Sequence, residues 1–166
     1  MTRKRTIIAG ILGLIFLLAL DQWTKYLAIA HLRDQSAIIL IPGVLELQYL
    51  ENFGAAFGIL QNQRWLFVLL CCIFLAVAVY FYGKLPSKKE YWLFRVMTVL
   101  LAAGAVGNLI DRVMRGYVVD FIYFSLIDFP IFNFADCCVV TGGILMLMNV
   151  LVIYRKEDYE FLKWHS

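Results

Sequence analysis

The sequence predicts an all-α integral membrane protein, four transmembrane helices with a small β-cradle in the outer loop between the first two. Three observations predict it. Hydrophobic residues make up 63% of the 166 and charged residues only 16%, against about 45–50% and about 25% in soluble domains. The apolar residues gather into four long runs. One connection between runs is long and alternates apolar with polar residues, as strands do. A soluble domain of this length could not bury that much apolar surface, whereas a bilayer acts as its solvent. The length suits a single integral membrane domain, residues 1–166.

Residues 7–20 carry no charge, and the first helix is expected over about 7–30. Residues 65–82 are likewise free of charge and predict a helix over 65–83. The uncharged run 96–110, extended by 91–95 in front of it, predicts a helix over 91–114, and the run 137–154 predicts one over 136–155. A crossing takes about 20 mostly apolar residues, and lipid, which offers the backbone no hydrogen bonds, forces each crossing to be helical. The start of the chain, Thr2-Arg3-Lys4-Arg5 before an apolar stretch, has two of the three parts of a signal peptide. The stretch ends in Asp21-Gln22-Trp23-Thr24-Lys25 and not in a small-residue cleavage site, so a retained first helix is expected.

Lys and Arg give the orientation. With both termini on one side, that side holds Arg3, Lys4, Arg5, Lys84, Lys88, Lys89, Arg95, Arg155, Lys156 and Lys163. The other side holds Arg33, Arg64, Arg112 and Arg115, with Lys25 near a helix end. This asymmetry predicts cytoplasmic termini. The net charge of +3 therefore reads as topology; no aromatic-plus-basic surface suggests a nucleic-acid partner. The cysteines form two adjacent pairs, Cys71-Cys72 and Cys137-Cys138, with no C-x-x-C. They read as small packing residues.

The connection 83–90 is a short basic turn containing Pro86. The outer connection 31–64 is longer than a tether needs. Residues 38–41 are a short β-branched run, and Pro42-Gly43 is a turn signal. Residues 44–50 then place Leu45, Leu47 and Tyr49 on one face and Glu46 and Gln48 on the other. These predict a small sheet on the outer membrane surface, with 55–60 as a short helix behind it. The second outer connection, 116–135, is read as a loop rich in aromatics: Tyr117, Phe121, Tyr123, Phe124, Phe129, Phe132 and Phe134. Composition supports equally an interfacial aromatic belt and a loop that grips a lipid-anchored ligand.

An ionisable group inside a span is costly and points to function. Asp21 and Lys25 lie four apart and can pair across one helix face; a salt bridge that fixes the first helix is the structural reading. In the third helix Gly104, Asn108, Asp111 and Arg115 form a polar stripe, beside small residues that allow close packing. Asp111 next to Arg112 suggests a local ion pair. Asp136 opens the fourth helix and reads most simply as its N-cap. Asp120 lies among Val and Phe with no basic residue within four positions, an environment that raises a carboxyl pKa. Two such groups brought together share one proton, the arrangement that lets an aspartate pair activate water.

Other hydrolytic chemistries lack their residues. His31 and His165 are the two histidines, and no H-E-x-x-H occurs. The serines, at 36, 87, 125 and 166, include no G-x-S-x-G, and no glycine-rich phosphate loop is present. Carboxylates remain for hydrolysis. Two rivals stay open on these residues: a small transporter or channel subunit using the stripe as an ion path, and a purely structural membrane subunit. Transporters usually show repeats and broken midplane helices, whereas here the acids gather at one face.

Five blocks stand in order: Asp21-Gln22-Trp23-Thr24-Lys25, Asn52-Phe53-Gly54-Ala55-Ala56-Phe57, Gly107-Asn108-Leu109-Ile110-Asp111-Arg112, Val118-Val119-Asp120-Phe121 and Phe132-Asn133-Phe134-Ala135-Asp136. Each alone is weak, but together, over about residues 20–143, the chain closely resembles lipoprotein signal peptidase (signal peptidase II), a family of bacterial inner-membrane aspartyl proteases. The resemblance implies an endopeptidase that removes the signal peptide from diacylglyceryl-modified prolipoproteins, cleaving just before the lipidated cysteine. It implies Asp120 and Asp136 as the catalytic pair, Asn52, Asn108, Arg112 and Asn133 as residues that hold the substrate or the dyad, and Asp21 with Lys25 as the first-helix motif. Asp111 is expected to be structural. It also implies no metal or cofactor, membrane lipids and lipid-modified prolipoproteins as partners, and inhibition by the cyclic peptide globomycin. A monomer is expected. Cys137 departs from the family, many members of which have serine there; little effect is expected, since both are small. Residues 155–166 read as a solvated charged end.

Overall fold

The computed structural model describes residues 2–54, 63–86, 88–149 and 151. Helix α1 spans Arg3–Leu32, starting inside the basic segment and ending where Asp34 takes a left-handed conformation (φ 59°). Its Ile8, Leu12, Ile15 and Phe16 are exposed, as side chains facing lipid should be. Helix α2 spans Arg64–Lys84, buries no side chain and packs on α3. A 3-10 turn, Lys89–Tyr91, leads into α3, Trp92–Met114. Helix α4 spans Phe134–Met148. Among the described residues three stretches, Arg3–Leu32, Arg64–Lys84 and Lys89–Met114, are long and apolar enough to cross a bilayer, while α4 is apolar but shorter over its described length. The expected fourth crossing reaches residue 155, and 150 and 152–155 lie outside the described residues. So do the short helix expected at 55–60 and the charged end at 155–166.

Among the described residues the sheet has three strands, β1 Ile38–Ile41, β2 Leu45–Asn52 and β3 Val118–Tyr123, antiparallel throughout in the order β1-β2-β3. The Pro42-Gly43 signal is met by a turn in which Gly43 has φ +68°, a conformation glycine adopts without a Cβ clash. The third strand is a correction to the sequence reading, which left 116–135 as a loop. Alternation marks a strand that is buried on one face. Val118, Val119, Asp120 and Phe121 are all buried, so the segment reads as an apolar run with one acid in it.

Two packing regions fix the sheet against the helices. Val119 and Phe121 of β3 form a cluster with Ala28 and Leu32 at the end of α1, flanked by Leu47, Tyr49 and Ile122. Lower down, α3 lies close against α4 and α1 because Gly107 has no side chain. A Cβ there would sit 2.5 Å from Asp21 Oδ2 and 3.2 Å from Ala135 Cβ, and small residues at such crossings are what allow backbones to approach. This contact brings the polar residues of α1, α3 and the start of α4 to one level.

Candidate active site

The start of α4 builds one half of the site. Asn133 is the N-cap: its side-chain oxygen accepts the Asp136 N–H at 3.0 Å, and Asp136 Oδ2 accepts the Asn133 N–H at 3.1 Å. This reciprocal capping box satisfies two orphan donors of the first turn. It corrects the expectation that Asp136 caps the helix: Asp136 lies three residues in, where its carboxylate is oriented by the box and still faces the cavity.

Strand β3 builds the other half. Asp120 is 2% exposed. Its Oδ1 accepts Asn133 Nδ2 at 2.6 Å and its Oδ2 accepts Asn52 Nδ2 at 2.8 Å. Asn52 sits on β2 and is itself held by the Gly54 N–H at 2.9 Å. The Asp120 carboxyl is raised from 3.8 to about 6, chiefly by burial; the hydrogen bonds from Asn52 and Asn133 oppose the rise and the charge of Asp136 adds to it. Asn133 therefore joins the two carboxyls, through its backbone N–H to Asp136 and its amide to Asp120. Asn108 of α3 completes the ring, donating Nδ2 to Asp136 Oδ1 at 2.8 Å and accepting Asn133 Nδ2 at 3.1 Å.

Behind this ring lies a buried ionic cluster. Lys25 contacts Asp21 Oδ2 at 3.0 Å, Asp111 Oδ2 at 2.9 Å and Asn108 Oδ1 at 2.9 Å. Asp111 also pairs with Arg115 and accepts the Val119 N–H at 3.2 Å, and Asp21 Oδ1 accepts the Ala135 N–H at 3.0 Å. The expected Asp21–Lys25 pair is present. The expected Asp111–Arg112 pair is not, because successive residues on a helix face different ways. Arg112 points to the other side, donating to Gly54 O at 2.9 Å with its guanidinium 4.5 Å from the Phe67 ring centroid. Gln22, which the sequence did not single out, donates to Asp21 at 3.1 Å and to Asp111 at 3.3 Å. Its neighbours in the Asp21–Lys25 block were the available signal.

The two carboxylates open into a cavity of about 800 Å³. Asn52, Asn108 and Arg112 line it with them, and Phe53, Phe129, Phe132, Val139 and Val140 give it apolar walls. The aromatic segment thus divides: Phe121 is core, while Phe129 and Phe132, 5.8 Å apart and edge to face, are wall. Cys137 lines the cavity beside Asp136, and all four cysteines are free. Among the described residues, no group of three or more His, Cys, Asp or Glu side chains is placed to hold a metal ion.

This arrangement, two acids joined through Asn133 at the wall of an apolar cavity, can activate water toward a carbonyl. Known proteins place the chain more closely. Residues 13–152 match the model of the signal peptidase (SPase) II family. The chain is similar to the lipoprotein signal peptidase of Streptococcus thermophilus (strain CNRZ 1066), 42% identical over 94% of this chain and 97% of that one. The Streptococcus pyogenes serotype M5 (strain Manfredo) lipoprotein signal peptidase is 38% identical over 90% and 95%. A bacterial membrane enzyme solved by the in meso method at 2.3 Å superposes with a TM-score of 0.77 at 36% identity, covering 96% of this chain and 94% of that one. With its long apolar helices, its small antiparallel sheet and this match over most of its length, the chain belongs to the signal peptidase II family of membrane peptidases.

Proposed function

We propose that this protein is an aspartyl endopeptidase that removes the signal peptide from diacylglyceryl-modified prolipoproteins, cleaving just before the lipidated cysteine, with Asp120 and Asp136 as the catalytic pair. The observation that carries the reading is the pairing itself. Two carboxyls from separate elements, β3 and α4, are joined through Asn133 at the wall of an apolar cavity.

In the proposed reaction one aspartate, ionised, takes a proton from water as its oxygen attacks the scissile carbonyl carbon. The other, protonated, gives its proton to the carbonyl oxygen, forming a neutral tetrahedral diol. Collapse breaks the C–N bond: one hydroxyl proton returns to an aspartate, and the amine of the lipidated cysteine leaves with the proton first taken from water. Both groups end in the state they started from. Asn52, Asn108 and Asn133 keep the carboxyls in register, and Arg112 and the apolar wall receive the substrate.

Membrane geometry supports the substrate class. A signal helix and two acyl chains that remain in lipid present the scissile bond at the boundary, and the acids gather at one end of the helices. The reading includes four crossings, both termini in the cytoplasm of a bacterial inner membrane, and a site near the outer face. The test is purified protein with a diacylglyceryl-modified prolipoprotein, followed by gel shift and by mass of the mature N-terminus. Cleavage away from the lipidated cysteine, or none, refutes it.

A further inference from the structure

Lys25 is fully buried, with no exposed side-chain surface. An ammonium has three hydrogens and no acceptor, and here three acceptors meet it: Asp21, Asp111 and Asn108 Oδ1. The two carboxylates account for an ion-pair role. The third contact does not belong to that role, because Asn108 is neutral and its other atom, Nδ2, donates to Asp136. An amide whose oxygen faces an ammonium has its N–H₂ turned the opposite way.

We infer that Lys25 is a positioning residue for the proposed dyad: by donating to Asn108 Oδ1 it fixes the polarity of that amide, so that Asn108 presents N–H and never oxygen to Asp136. Asn133 Nδ2 supports the same polarity from the other side, but one of its hydrogens is engaged by Asp120. Without Lys25 the polarity of the Asn108 amide rests on the single donor of Asn133 at 3.1 Å, and turning its oxygen toward Asp136 becomes less costly; that orientation favours the protonated dyad and removes a donor from the carboxylate that must accept a proton.

Several charged or titratable groups face the dyad. They are Lys25 on α1, Glu51 on β2, Arg112 on α3, and Cys137 and Cys138 on α4, with Asp21 and Asp111 behind them against Lys25. Lys25 alone among them reaches a dyad carboxylate through an oriented amide.

The inference rests on the dyad reading, and its test is kept separate from that reading's. Lys25→Met alone would leave Asp21 and Asp111 facing each other without the lysine, so two charge-balanced double variants are compared. Lys25→Gln/Asp111→Asn keeps an N–H donor for Asn108, and Lys25→Met/Asp111→Asn does not; the formal charge of the cluster is the same in both. The Gln variant should keep most of the turnover and the native pH profile. The Met variant should lose about ten-fold or more in kcat, as expected when a hydrogen bond to a charged group is lost. Its KM should stay within about two-fold of the native value, since the lost contact acts on the chemical step. The acidic limb of its pH profile should move to higher pH. In an Asn108→Ala background the difference between the two should vanish, because coupled residues are not additive.

Equal kcat in the Met and Gln variants, a change confined to KM, or full additivity with Asn108→Ala overturns the inference. Failure of the Met variant to fold where the Gln variant folds overturns it too, since the donor at position 25 would then act through the fold; where Asp111→Asn itself prevents folding, the same comparison is made with Asp21→Asn in its place. Turnover retained in Asp136→Asn would instead remove the dyad reading, a result the Lys25 comparison cannot produce.

Discussion

Replacing Asp120 by Asn separates the chemistry of this carboxyl from its effect on folding. Turnover should be abolished, because an amide neither ionises nor shares a proton. The stability effect depends on pH in a way that the structure fixes. Burial raises the Asp120 carboxyl from 3.8 to about 6. Between those values the folded protein holds a proton that the unfolded chain has released, so stability falls as pH rises through the window. Two pH units at about 1.36 kcal/mol each amount to about 3 kcal/mol. The Asn variant has no such dependence. It does lose an acceptor facing the donors of Asn52 and Asn133, a penalty of about 1–3 kcal/mol that is the same at every pH. The informative quantity is therefore the stability difference between the two proteins at two pH values. Measured by reversible unfolding in detergent at pH 4 and at pH 7, it should move by about 3 kcal/mol in favour of Asn at the higher pH. A difference that stays constant, or that moves toward the native protein, refutes the assignment of Asp120 as the buried, proton-holding acid.

Further outcomes are expected. Asp136→Asn should fold and show essentially no turnover. Asp128→Asn should stay within about two-fold of native activity, as a surface change usually does; its φ of 49° suits asparagine, whose Oδ1 still accepts the exposed Tyr123 hydroxyl. Activity should survive EDTA, and a complete loss restored by zinc would overturn the two-aspartate mechanism. Unlipidated prolipoprotein should be a poor substrate, since acyl burial contributes about 0.8 kcal/mol per CH₂ to anchoring; equal rates with and without lipid would contradict the proposed role of the bilayer.

What could be read from the sequence followed from periodicity and from isolated charge. The helices over 65–83 and 91–114 match Arg64–Lys84 and Trp92–Met114 closely, because uninterrupted apolar runs have one outcome in lipid. The Leu45–Tyr49 alternation marked β2 for the complementary reason. Asp120 stood out as an acid without a local cation, and its actual partners, Asn52 and Asn133, are neutral. The polarity of partners was not readable. Asp111 has a cation next to it in sequence and others next to it in space, and adjacency along a helix suggested Arg112 where the packing selects Lys25 and Arg115. The third strand was hidden because both its faces are covered.

That hidden strand explains why the two acids meet. Asp136 is fixed by its helix: a capping box determines where its carboxylate points regardless of what lies opposite. Asp120 has no helix to orient it, and a flexible loop could not keep a buried carboxyl at hydrogen-bond distance from two amides. Pairing with β2, with Leu50 opposite Asp120 and Asn52 opposite Val118, brings Asn52 close enough to bond it. The backbone bond from Val119 to Asp111 then ties the strand to α3. The sheet is therefore a second rigid support for the site, and Asn133, bonded to both acids, is the joint between the two supports. A change that loosens β2 from β3 should separate the carboxyls while leaving the helices intact. Leu50→Pro, which removes the backbone donor opposite Asp120, should abolish turnover while the helical far-ultraviolet circular dichroism stays near native. Full turnover in that variant would show that the strand only covers the site and does not build it.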